Sequence, residues 1–317
     1  MDERARIARI AELLAARADG VDVGIGDDAA VLTAPGNGKL VWTIDEQVEG
    51  VHFRRAWLSW RDVGWRSFMA AASDLAAMGA SPWCALASLV LPGDVDDAAL
   101  EAIVGGQRDA AAEVGAPVVG GNLARGAALS LTTTLLGRCE RPVLRSGARP
   151  GDGLWMAGDV GMAAAGMRAL ELGRGDEPLF ARAVEAWRTP RALVAEGRHM
   201  ARTARAAIDV SDGLARDAAH LGEASGVAIV LDEAALLDEG SLVDLARALG
   251  ADPLALALHG GEDYAVVVSA PSPILGFRHV GDVRDGSAGG RLFLRSATGE
   301  RPIEPGGFDH FGRGLAW

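Results

Sequence analysis

The sequence predicts an α/β protein, α+β in its details, folded as two domains. Short apolar runs alternate with helical stretches, and the alternation stops once, in a turn-rich break, before it restarts. At 317 residues the chain is long enough for two cores of ordinary size.

Taken in order, residues 4 to 17 fit a helix with Ile7, Ile10, Leu13 and Leu14 on its apolar face. Lys39 to Ile44 reads as a strand that runs into Asp45, and Trp60 to Met78 as a long helix stopped by Gly79. A strand over Trp83 to Leu91, a helix over Asp96 to Val114, and short strands near Val118 and over Leu129 to Leu136 follow. The break, Ser146 to Asp152, is Ser-Gly-Ala-Arg-Pro-Gly-Asp and sets domains of 1–147 and 148–317. Beyond it come a strand at Leu154 to Ala157, helices to about His199, a strand at Ala206 to Val210, a helix at Leu214 to Ser225 and a strand at Val227 to Leu231. Tyr264 to Ser269 and Arg291 to Leu294 are the later strands.

Composition excludes several classes. Polar residues interrupt every apolar stretch before the length of about 18 that a membrane span needs. Met1-Asp2-Glu3-Arg4 opens no apolar leader, and Cys84 and Cys139 form no C-x-x-C pair, so a reducing, cytoplasmic setting is expected. The net charge of -12, with Lys39 the only lysine, predicts no nucleic-acid face. Phosphates in such a chain must be held by arginine, backbone amides or metal.

Four segments bring carboxylates out of apolar runs beside small residues. They are Gly24-Ile25-Gly26-Asp27-Asp28, Thr43-Ile44-Asp45, Ser73-Asp74, and Ile208-Asp209-Val210-Ser211-Asp212-Gly213. Oxygen donors so placed suit a hard cation such as Mg²⁺, which is commonly shared with substrate phosphates. Each segment alone reads more readily as a turn or a helix cap; four together favour the cation. Asp74 is the most telling, because it falls inside a helical pattern. Gly120-Gly121-Asn122 reads as a turn after a short strand, with amides open to an anion. Arg145, just before the break, is a phosphate partner or a surface charge. Gly260-Gly261-Glu262-Asp263-Tyr264 enters a strand, and Glu262, His52 and Phe53 are suited to a heteroaromatic ligand, although His52 also reads as a structural histidine. There is no Walker A sequence and no protein-kinase H-R-D or D-F-G set.

In order along the chain, these segments resemble the thiamine-monophosphate kinases, relatives of aminoimidazole ribonucleotide synthetase, selenophosphate synthetase and a hydrogenase maturation protein. Val48-Glu49-Gly50-Val51-His52-Phe53, Ser73 to Ala80, Arg145-Ser146-Gly147, Gly260 to Tyr264 and Gly307-Phe308-Asp309-His310-Phe311 carry the resemblance. It implies a two-domain fold like that of aminoimidazole ribonucleotide synthetase, and a homodimer whose N-terminal domains build a shared β-barrel. It implies ATP-dependent phosphorylation of thiamine monophosphate by direct transfer. By position, Asp28, Thr43, Asp45, Asp74, Asp209 and Asp212 become magnesium ligands, with Asp45, Asp74 and Asp212 carrying the catalysis. Gly121, Asn122, Arg145 and Ser211 become ATP contacts, and His52, Glu262 and Phe308 contacts to thiamine monophosphate. Two departures stand out. Ile44 replaces a hydroxyl and Asn122 a carboxylate of the usual pattern; both are expected at one metal site, with Glu46 a substitute ligand. They keep open a relative with another acceptor, or a nucleotide-binding protein without turnover.

Overall fold

A computed structural model of the chain describes residues 9, 10, 12–14, 20–23, 31–32, 36, 38–237, 241–286 and 292–308. Contacts divide it into two compact units, Met1–Leu75 with Ala80–Arg141, and Ala76–Gly79 with Pro142–Trp317. Of the helix expected over 4–17, Arg9, Ile10, Glu12 and Leu13 are helical; its other residues lie outside the described set apart from Leu14, which is in a turn.

The first unit holds β1 (Val21–Val23) paired with β2 (Val31–Leu32), and a four-stranded sheet. That sheet comprises β3 (Lys39–Val48), β4 (Ser81–Leu91), β5 (Val118–Arg125) and β6 (Ser130–Cys139) in the order β3-β6-β4-β5. Only β4 and β5 run parallel. Two helices, α1 (Trp60–Ala77) and α2 (Asp97–Val114), accompany it. Asp96 caps α2 by accepting from the Ala99 amide, and Gly115, at φ 74°, ends it. The two helices touch backbone to backbone. A Cβ on Gly64 would lie 1.9 Å from the Ile103 carbonyl oxygen, and one on Gly106 2.0 Å from that of Arg61. One face of the sheet carries Val41, Leu131 and Leu135, all buried. The other leaves Leu40, Trp42 and Ile44 exposed, by 52%, 73% and 66%.

The second unit is built on β7 (Gly153–Ala157), β8 (Ala206–Asp209), β9 (Val227–Asp232), β10 (Val266–Ala270), β11 (Arg278–Asp285), β12 (Leu292–Ser296) and β13 (Gly299–Pro302). They form one mixed sheet in the order β13-β12-β9-β11-β7-β10-β8. Its helices are α3 (Met162–Glu171), α4 (Ala181–Arg188), α5 (Val194–Met200), α6 (Leu214–Ser225), α7 (Glu233–Leu236), α8 (Ser241–Leu249) and α9 (Pro253–His259). A large core of buried Leu, Ile, Val and Ala lies against them. Asp152, in the turn-rich break, is buried and fully engaged: it accepts from Arg205 at 2.6 Å, Ser269 Oγ at 2.7 Å and the Arg149 amide at 2.9 Å. Among the described residues no helix is long and apolar enough to cross a membrane.

Candidate active site

In the first unit the alternation of β3 sorts the acidic segment by face. Thr43, Asp45 and Gln47 share one side; Trp42, Ile44 and Glu46 take the other. Asp45 lies within β3, which runs three residues past it, instead of at a strand end as the sequence suggests. Asp74 sits three residues before the end of α1, and the Thr43 hydroxyl donates to its Oδ2. Gln47 Nε2 donates to Asp45 Oδ1 at 3.2 Å. The Thr43 bond thus ties Asp74 to the face of β3 that also carries Asp45. Asp28 lies outside the described residues, as do Asp309, His310 and Phe311.

Two expectations change here. Gly120-Gly121-Asn122 is not a turn but the middle of β5, paired in parallel with β4. Gly121 is required there because a Cβ would stand 1.9 Å from the Ala87 carbonyl oxygen. The pairings Ile44↔Thr134↔Leu86↔Gly120 and Glu46↔Thr132↔Ser88↔Asn122 put Ile44, Glu46 and Asn122 on one face. Ile44 and Asn122 are on opposite edge strands, three strand spacings or about 14 Å apart. Magnesium binds oxygen at about 2.1 Å, so within one chain no single ion reaches both positions. Glu46, which accepts from Ser130 Oγ at 2.8 Å, faces away from Asp45. His52 Nδ1 accepts from the Val48 amide at 3.0 Å, which fixes Nε2 as the protonated nitrogen and holds the ring against the end of β3.

In the second unit β8 ends on Asp209, which is buried, and the loop Val210–Gly213 leads into α6. Asp217, in the first turn of α6, accepts from the amides of Ser211 and Asp212, both at 3.1 Å, and so sets the loop. Burial first, then the charges of Asp209 and Asp212, holds its carboxyl well above the usual carboxylate range. The sequence reading missed Asp217; its signal was a carboxylate four residues after Gly213, on the buried side of a helix. The segment Gly260–Tyr264 leads into β10, as expected, with the strand beginning at Val266. It is laced to the loop: the Glu262 amide donates to the Ser211 oxygen and the Tyr264 amide to the Val210 oxygen, both at 2.9 Å. Glu262 and Tyr264 have φ of 68° and 50°, unusual for residues with a side chain. The Phe308 amide donates to the Asp212 oxygen at 2.9 Å, and Arg216 donates to the Phe308 oxygen. Asp209, Ser211, Asp212, Glu262 and Phe308, chosen from scattered segments, thus share one backbone network. Arg145 is exposed; its carbonyl accepts from Ser225 Oγ at 3.0 Å, and among the described residues its guanidinium has no hydrogen-bond partner.

Asp263, next to Glu262, caps a different helix. Its carboxylate accepts from the amides of Gly161 at 2.7 Å and Ala163 at 3.0 Å, at the start of α3. Burial pushes it from near 3.8 up to about 7, against the pull of those amides. A folded value above the unfolded one means a stability contribution present below about pH 4 and lost as pH rises through about 7. In Asp263→Asn, urea midpoints measured from pH 4 to 8 are expected to show a weaker fall with pH than in the parent.

Among the described residues no three His, Cys, Asp or Glu side chains come close enough to hold a metal ion unaided. The family model for the AIR synthase related protein, N-terminal domain, matches residues 26–139. A thiamine-monophosphate kinase of Mycobacterium tuberculosis is 38% identical over 271 residues, 84% of this chain and 80% of that protein. The chain belongs to the thiamine-monophosphate kinase family. Among solved structures, AaThiL complexed with AMPPCP and TMP has a TM-score of 0.81 and 32% identity, covering 98% of this chain and 97% of its own. Hydrogenase maturation protein HypE in complex with ATP has a TM-score of 0.77 at 18% identity, covering 96% of this chain and 94% of its own, a likeness of fold. The mixed α/β architecture expected from the resemblance to thiamine-monophosphate kinases is therefore the one observed.

Proposed function

We propose that this chain transfers the γ-phosphoryl group of ATP to the phosphate of thiamine monophosphate, giving thiamine diphosphate. The observation that carries the reading is the whole-length likeness to AaThiL, solved with AMPPCP and TMP. The acceptor is already a phosphate, so no strong base is needed; charge repulsion between donor and acceptor is the obstacle.

The all-oxygen donor sets suit magnesium. In the first unit Thr43, Asp45 and Asp74 would be its ligands, and in the second, separately, Asp209 and Asp212, the former a buried carboxylate whose charge a cation there would offset. Magnesium, when bound, supplies neutralisation of the polyphosphate charge. The chain's own groups orient the substrates. In the first unit the Gly121–Asn122 backbone is offered to the nucleotide; in the second, Ser211 and the Arg145 guanidinium are the groups for it and its phosphates. His52 offers an Nε2 donor, and Glu262 an acceptor for a ring amine, to thiamine monophosphate, beside Phe308. Thr43, hydrogen-bonded to Asp74, keeps that carboxylate oriented.

A homodimer is part of the reading. Leu40, Trp42 and Ile44 form an exposed apolar stripe on an edge strand, a surface that a monomer seldom leaves open. A second copy is also what can bring an Ile44 and an Asn122 position together. Trp42→Glu is expected to shift the sedimentation mass from dimer toward monomer; an unchanged mass would count against this interface.

The reaction itself is tested by coupled ADP release with thiamine monophosphate across a magnesium titration. ADP must appear only with both acceptor and magnesium. Release that ignores the acceptor, or none at all with folded protein, would remove the assignment.

A further inference from the structure

On the face of β3 that carries Thr43 and Asp45, the next residue along is Gln47. It is 2% exposed, whereas Asp45 beside it is half-buried. Its cross-strand partner on β6 is Leu131, fully buried and apolar. A leucine or methionine at 47 would fill the same space without taking a polar group out of water. Packing therefore does not account for a glutamine there.

The hydrogen bonds of the carboxamide do. Its Nε2 donates to Asp45 Oδ1 at 3.2 Å, and its Oε1 is buried without a hydrogen-bond partner among the described residues. A carboxylate can only accept, so the nitrogen has to be the end that faces Asp45, and the oxygen is left unmatched. A buried acceptor in that state weakens the fold, so the one bond the amide makes is the reason to look for.

That bond suits the holding of a carboxylate for a cation. A neutral amide fixes the direction of the carboxylate and leaves its negative charge in place, which an arginine would cancel. Donor and acceptor stand two residues apart on one strand, and β3 is paired to β6 along its whole length, so the backbone holds both ends. Thr43, on the same face, does the like for Asp74.

We propose that Gln47 is a positioning residue for phosphoryl transfer: its amide turns the Asp45 carboxylate toward the cation, and the unmatched Oε1 is the stability given up for that. Gln47 acts only through Asp45. Its role rests on the magnesium and ATP reading given above.

Gln47→Met keeps length and volume and removes the amide. Its thermal melt should come no lower than that of the parent, while kcat with ATP drops about 10-fold and KM for thiamine monophosphate stays unchanged. With Mn²⁺ replacing Mg²⁺ and AMPPCP at one fixed concentration, electron paramagnetic resonance of the free ion should show half-saturation at about 10-fold higher Mn²⁺. In an Asp45→Asn background, Gln47→Met should change kcat by less than about twofold, because the charge it directs is gone. An equal drop in kcat in both backgrounds, a clearly lower melt, or unchanged Mn²⁺ binding would overturn the proposal. If the parent makes no thiamine diphosphate, the acceptor assignment falls, and the Mn²⁺ titration with the melts decides the role of Gln47 by itself.

Discussion

Replacing Asp45 by asparagine is expected to lower kcat about 100-fold or more, some 3 kcal/mol of transition-state stabilisation, with little change in Tm. The substitution keeps size and one oxygen acceptor, and Asp45 is a half-buried residue in the middle of a well-paired strand, so β3 should still form. What is lost is one negative charge from the set that includes Asp74 and Thr43. If the set neutralises polyphosphate through magnesium, the variant should also need more magnesium for half-maximal rate. A magnesium titration of initial rates, beside thermal melts, reads both quantities. Turnover within about threefold of the parent would mean that Asp45 carries a structural charge only.

A second large effect concerns the helix pair of the first unit. Gly64→Ala is expected to cost about 3 kcal/mol or more in unfolding free energy, although alanine gains about 1 kcal/mol over glycine in an open helix. The added Cβ would meet the Ile103 carbonyl at 1.9 Å and the Gln107 amide nitrogen at 3.0 Å, both backbone atoms that no rotamer change can move. Helices α1 and α2 must part, and the packing of Phe68, Leu100, Ile103 and Val104 goes with them. Gly105→Ala is the control: its Cβ meets only the Arg61 guanidinium, at 3.0 Å, the flexible end of a side chain. Urea unfolding of the two variants should differ in midpoint by far more than their sequence separation from the core suggests.

Local pattern revealed the elements whose reasons are local. Leu214–Ser225 has a regular apolar face, and the helix ending before Gly79, at φ 67°, shows its stop signal in the chain itself. Asp74 stood out because a carboxylate inside a helical run either faces solvent or has a partner, and here the Thr43 hydroxyl is one. What stayed hidden depends on partners distant in sequence. Gly120 and Gly121 look like a turn until β4 lies beside them and the Ala87 carbonyl leaves no room for a Cβ. Arg278–Asp285 is rich in charge and was not among the expected strands, yet it pairs with both β7 and β9. Its charges are satisfied sideways, Asp282 by Arg295 at 2.6 Å and Arg278 by the Gly158 carbonyl at 2.9 Å. The acidic loop Asp209–Asp212 was found, but Asp217, which sets its shape, was not, since its bonds run to backbone amides that sequence alone does not place.

Direct transfer between two phosphates is most sharply tested with ATP labelled in its γ-phosphorus. Incubated with magnesium and thiamine monophosphate, the protein should move the label into thiamine diphosphate, with none retained on the denatured chain. Label found only in inorganic phosphate, or bound covalently to the protein, would contradict it.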